Sequence, residues 1–144
     1  MSLHPGIFQY VESCLYNYRE NRERLDLKRL ELRNIPLLRS TTDYQERVNA
    51  GIMTSEPVAV IMLRIESIEE DIRRLEKKTE PVTRLIFTLR EQRSPLVDLL
   101  DYRYFQQLPW DRCLELLHVS RGTFKSWRVR LIEKAARMLG FDPE

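Results

Sequence analysis

Trp110-Asp-Arg-Cys113-Leu-Glu-Leu-Leu117-His118-Val119-Ser120-Arg121-Gly122-Thr123-Phe124-Lys125-Ser126-Trp127-Arg128-Val129-Arg130 is the stretch that decides the fold. Trp110 opens a helix of about two turns, with acidic Asp111 at the end where the helix dipole favours a negative charge. His118-Val119 makes a short connection, and Ser120 has the position and chemistry of an N-cap. The longer helix that follows turns Phe124, Trp127, Leu131 and Ala135 inward and Arg121, Lys125 and Arg128 outward. A short helix, a tight turn and a longer basic helix follow a helix-turn-helix plan. An α-helix fills the major groove of B-DNA; its first side chains reach base edges, and later basic residues meet phosphates.

Upstream, Leu96, Leu99, Leu100, Tyr104 and Phe105 predict a short amphipathic helix between Pro95 and Gln107, closed by a turn at Leu108-Pro109. Before it, Val58, Ile61, Ile65, Ile68, Ile72 and Leu75 follow one another in steps of 3-4-3-4-3. That is a heptad seam, and its phase continues through Thr79, Val82, Ile86 and Leu89. Thr54 or Ser55 is the expected cap, with Pro57 near the first turn. Pro81 falls inside the seam, so the helix either kinks there or stops at Lys78 and restarts. The seam fits two arrangements equally, a homodimeric coiled coil or a hairpin packed on the first helix. That first helix is expected from Pro5 or Gly6 to about Arg33, on a stripe of Ile7, Val11, Cys14/Leu15, Tyr18, Leu25 and Leu32. Residues 36–56 lose the period and read as a loop. The expected fold is all-α: an N-terminal helical hairpin or coiled coil over 1–94, then a helix-turn-helix domain over 95–144.

Composition agrees with this plan. The 144 residues are 42% hydrophobic and 32% charged, with only four glycines, too few for a turn-rich β protein. The longest apolar run, Val58 to Leu63, is six residues, against roughly 20 for a membrane span. The N-terminus has no basic and apolar leader pattern, which points to the cytosol. Cys14 and Cys113 match no metal or redox spacing and read as reduced, buried thiols. His4 and His118 have no ligand partners at metal spacing, and His4 is expected to be idle. Glu69-Glu70-Asp71 reads as a solvated face. With no nucleophile–base pair and no phosphate loop, an enzyme is disfavoured. The net charge is +2, but Arg121 to Met138 carries +5 and the rest of the chain −3. A basic helix concentrated at one end fits a nucleic-acid partner, and by itself it fits a solvated face as well.

The residues Tyr102-Arg-Tyr-Phe105, Pro109-Trp-Asp111 and Val119-Ser-Arg121-Gly-Thr-Phe124-Lys-Ser-Trp127-Arg-Val-Arg130-Leu-Ile-Glu-Lys134 resemble sigma-factor region 4. They look closer still to phage late-gene transcriptional regulators of the RinA/ArpU type. Those proteins also carry a helix like Val11-Glu-Ser-Cys-Leu-Tyr-Asn-Tyr18 and a long charged helix ahead of the motif. The sequence departs from the usual helix-turn-helix pattern in two places: Leu114 stands where a small residue is common, and His118 where the turn commonly has Gly.

The resemblance implies a DNA-binding transcriptional regulator in the cytoplasm of a bacterial host. By position it puts Arg121, Gly122, Thr123, Lys125 and Ser126 at the base-reading surface, Arg128 and Arg130 toward phosphates, and Arg112 at the DNA backbone. Its partners would be double-stranded DNA and, through the N-terminal helices, either host RNA polymerase or a second copy of the chain paired along the 58–89 seam. No cofactor, metal, membrane or small-molecule substrate is implied. Trp110 and Trp127 are expected in the core rather than as base-stacking platforms. Two alternatives stand beside this reading: a phage small terminase subunit, and a helical adaptor that uses the 58–89 seam and binds no DNA.

Overall fold

The computed structural model describes residues 3–35 and 57–141. The expected loop at 36–56, and the expected caps Thr54 and Ser55, lie outside the described residues. Within them every regular element is helical: α1 (Pro5–Tyr16), α2 (Tyr18–Arg33), α3 (Val58–Glu91), α4 (Leu96–Leu99), a π-helical segment (Leu100–Phe105), α5 (Trp110–Leu117) and α6 (Arg121–Met138). Among the described residues no helix is long and apolar enough to cross a membrane.

The chain divides into two compact units, Met1–Asn21 with Lys77–Glu144, and Arg22–Glu76. The sequence pattern predicts a boundary at residue 94; the compact units are divided instead at residues 21/22 and 76/77. Val11 and Leu15 of α1 and Val82, Leu85 and Leu89 of α3 share one buried cluster with Leu96, Leu100, Phe124 and Leu131. A short C-terminal helix set buries too little apolar surface alone, and the flanking helices complete its core.

In the Arg22–Glu76 unit, Ile61, Ile65, Ile68 and Ile72 of the seam pack with Leu25 and Ile35 of the same chain. The pairs Lys28–Asp71 (3.4 Å) and Arg29–Glu76 (3.1 Å) flank that cluster. Val58, expected to begin the seam, is exposed.

In the other unit the sequence expectations need four adjustments. The long first helix breaks at Asn17 (φ −97°, ψ 6°), a poor helix former. The break is narrow, because Asn17 N–H still donates to Ser13 C=O and Asn21 N–H to Asn17 C=O. His4 is not idle: its Nδ1 accepts from Gly6 N–H at 3.0 Å and caps α1, with Pro5 at its first position. Third, Pro81 does not stop α3, which runs from Val58 to Glu91. A mid-helix proline forfeits one backbone hydrogen bond, and burial of Thr79, Val82, Leu85 and Leu89 around it offsets that loss. Leu85 is buried and Ile86 only half-buried, so the heptad phase shifts where α3 meets a many-sided core. Finally, the helix expected over 95–107 widens after one turn. Gln106 N–H donates to Asp101 C=O and Leu108 N–H to Tyr102 C=O, which overwinds nothing and turns Tyr104 fully inward.

Candidate nucleic-acid interface

Local chemistry sets the join between α5 and α6. His118 adopts the left-handed conformation (φ 56°, ψ 44°), as its place in the turn required, and its N–H donates to Leu114 C=O. Histidine enters this region more readily than β-branched residues. Ser120 is extended, its Oγ accepts from Thr123 N–H at 3.2 Å, and its hydroxyl donates to Thr123 Oγ1 at 3.1 Å. That cap satisfies one of the free amides at the start of α6. Leu114 is half-buried against the core rather than excluded from it.

Phe124, Leu131 and Ala135 are buried as expected, and so are Ile132 and Ala136, which widen the inner face of α6. Trp110 and Trp127 are half-buried and packed on the core, with the Trp110 ring 4.7 Å from that of Phe124. The outer face of α6 presents Arg121, Gly122, Lys125, Ser126, Val129, Arg130 and Arg137, all exposed.

The residues expected to contact DNA do not all lie there. Arg121 is exposed, 3.7 Å from Asp111 of α5. Lys125, Ser126 and Arg130 are exposed. Gly122 is also exposed, and a Cβ there would meet nothing within 4 Å, so the fold itself does not demand a glycine. Thr123 is half-buried, its amide and hydroxyl both engaged with Ser120. Arg112 pairs with Glu115 one turn along its own helix at 3.0 Å.

Arg128 departs from expectation. It was to face outward toward phosphates; instead it turns back into the unit. Its Nε and Nη2 donate to the two carboxylate oxygens of Glu12 at 2.8 and 2.9 Å. Its guanidinium lies 5.1 Å from the Phe8 ring centroid and 5.8 Å from that of Trp110. The spacing explains this: Arg128 is four residues after Phe124 and three before Leu131, on the inward stripe of α6. A planar cation between ring faces and a carboxylate is well satisfied there.

Around that pair lies a network that sequence reasoning missed. The Tyr104 hydroxyl donates to Glu12 Oε2 at 2.7 Å. Arg103 donates to Leu108 C=O at 2.9 Å and lies over the Tyr16 and Trp110 rings. Burial disfavours the charged form of Glu12, but hydrogen bonds from Arg128 and Tyr104, with the charges of Arg128 and Arg103, outweigh it. The carboxyl therefore titrates below its ordinary range. Burial, then the hydrogen bond to Glu12, pushes the Tyr104 phenol far up. Burial likewise raises the thiols of Cys14 and Cys113. The signal available in the sequence was Glu12 beside Val11 on the apolar stripe of α1, a carboxylate where a cation on a facing helix could meet it.

Among the described residues no three His, Cys, Asp or Glu side chains gather as a metal site would require. Comparison with protein-family profiles, with curated proteins and with solved structures finds no match.

Proposed function

We infer that this protein is a sequence-specific DNA-binding transcriptional regulator, resembling phage late-gene activators, and that α5 and α6 form its helix-turn-helix. The observation that carries the reading is the joint itself. A left-handed turn at His118 and a Ser120 cap join two helices, and α6 exposes Arg121, Lys125, Ser126 and Arg130 on one outer face. In this reading α6 enters the major groove. Arg121 forks to guanine O6 and N7, Lys125 and Ser126 reach neighbouring base edges, and Arg130 neutralises phosphate. Arg128 has no DNA contact, being committed to Glu12. Gly122 lets the backbone approach the groove closely, and Arg112 lies on the helix that crosses the DNA backbone.

The hairpin of α2 and α3 supplies a separate element for a partner. That partner is either a second copy of the chain or host RNA polymerase. The seam isoleucines are already buried within one chain, which favours a surface other than that seam. The reading assigns the protein no catalytic step.

The test is fluorescence anisotropy with random and promoter-derived duplexes at about 50 and 200 mM salt, where affinity falls with the number of phosphates neutralised. Wild type is expected to bind random duplex and to lose about tenfold or more in affinity over that range. The Arg121→Ala/Lys125→Glu variant is expected to lose its preference for any promoter fragment. No binding at the lower salt by the folded protein overturns the reading and leaves a helical adaptor.

A further inference from the structure

Two arginines of α6 are held by carboxylates of other helices, and the two pairs are built differently. Glu12 and Arg128 meet through two hydrogen bonds of 2.8 and 2.9 Å, with side chains 13% and 32% exposed. Tyr104 donates to the same carboxylate, and the Phe8 and Trp110 rings flank the guanidinium. Asp111 and Arg121 approach to only 3.7 Å, with side chains 83% and 79% exposed. A pair so well solvated adds little to stability and leaves the remaining guanidinium donors open to a ligand. It nevertheless spans the turn: Asp111 is in the first turn of α5 and Arg121 is the first residue of α6.

We propose that Asp111 is a positioning residue for Arg121, aiming it at a guanine edge and keeping it off the phosphates. The proposal rests on the DNA-binding reading and deepens it. A guanidinium carries five donors, so two can fork to guanine O6 and N7 while another stays with the carboxylate. An arginine at the start of a recognition helix, left alone, is drawn equally to phosphate, and a phosphate contact carries no sequence information. Asp111 opposes that capture, because any movement of the pair toward the backbone brings its carboxylate toward like charge. Specificity then comes from a repulsive element as much as from an attractive one. Glu12 cannot act in this way, since its arginine is withdrawn from the outer face.

The experiment compares wild type, Asp111→Asn, Arg121→Ala and the double variant on two probes. One is the tightest duplex selected by the wild-type full chain from a random pool; the other is the random pool itself. Circular dichroism melts check that Asp111→Asn, an exposed change, leaves the fold intact. Asp111→Asn is expected to bind the random pool more tightly, with a salt slope steeper by about 0.9, the value of one added phosphate contact. Between about 50 and 200 mM salt that is a further loss of about 3.5-fold. The selected-to-random ratio is expected to fall about tenfold, the size of one lost base discrimination. In the Arg121→Ala background, Asp111→Asn is expected to change the ratio no further. Replacing the guanine that Arg121 reads by 7-deazaguanine should lower wild-type binding and leave Asp111→Asn much less affected. A ratio unchanged by Asp111→Asn, or one that falls equally with and without Arg121, overturns the proposal while DNA binding stands. If wild type binds neither probe, the DNA-binding reading fails first and the proposal with it.

Discussion

The two compact units reach stability by different routes. The Arg22–Glu76 unit is an isoleucine seam with Leu25 and Ile35, edged by half-buried ion pairs. The unit of α1, the end of α3 and the C-terminal helices buries leucines, Phe124 and Tyr104 and adds a carboxylate held by two arginine nitrogens and a phenol. A periodic apolar stripe suffices for the first. The second needs directional contacts from three helical segments distant in sequence, and the candidate DNA surface belongs to it. A surface that must meet base edges needs such fixed geometry, because small displacements of its helix would move every reading side chain.

The largest effect expected is in that second core. Leu131→Ala removes a fully buried side chain and should destabilise by about 3–4 kcal/mol. Thermal unfolding followed by tryptophan fluorescence measures it, because Trp110 and Trp127 both belong to this unit. A loss below about 1 kcal/mol would mean that the core repacks easily and the contrast between units is weaker than drawn.

Ile68→Ala, in the seam, is expected to lose about 2–3 kcal/mol as read by helical circular dichroism. Tryptophan fluorescence should hardly change, as neither tryptophan lies in Arg22–Glu76. Fluorescence and dichroism shifting together would show that the two units melt as one, which breaks the comparison.

The polar knot comes next. Glu12→Gln should cost about 2 kcal/mol by leaving the Arg128 guanidinium without its anion. The pH dependence sharpens this. The Glu12 carboxyl titrates lower folded than unfolded, so its contribution is present above the ordinary carboxylate range and is lost as pH falls through the folded value. The wild-type fluorescence melting temperature should therefore drop as pH falls below the ordinary carboxylate range, with a flatter profile in Glu12→Gln. Parallel profiles would remove Glu12 as the source.

The smallest effect is at Gly122, in the first turn of α6, where an added methyl meets only open space. Gly122→Ala should stabilise by about 0.5 kcal/mol. Under the DNA-binding reading it should also weaken affinity, since the methyl stands between the backbone and the groove. Gain in stability without loss of affinity would move the groove contact elsewhere on α6.

Much of the candidate site was legible because its signals are local. Ser120 announces a cap by its side chain, His118 marks the turn by its tolerance of a left-handed backbone, and Arg121 and Lys125 face water because Phe124 beside them is apolar. Arg128 shows where locality ends. Its charge suggested the surface, while its register put it on the inward stripe, and only a carboxylate 116 residues away decided between the two. The break at Asn17 and the widened turn at Leu100–Phe105 were equally out of reach, since each depends on what packs against it.

By itself, then, the sequence determined the helical class, the extents of α5 and α6, the cap at Ser120 and the concentration of positive charge at one end. These follow from period, capping chemistry and composition, which act over a few residues. Tertiary structure alone decided that α1 and the end of α3 share a core with the C-terminal helices, that Pro81 is carried within a continuous helix, and that Glu12 takes Arg128 from the surface. Those outcomes turn on burial and on pairs between residues far apart in sequence, and side-chain partners are selected only when the chain has brought them together.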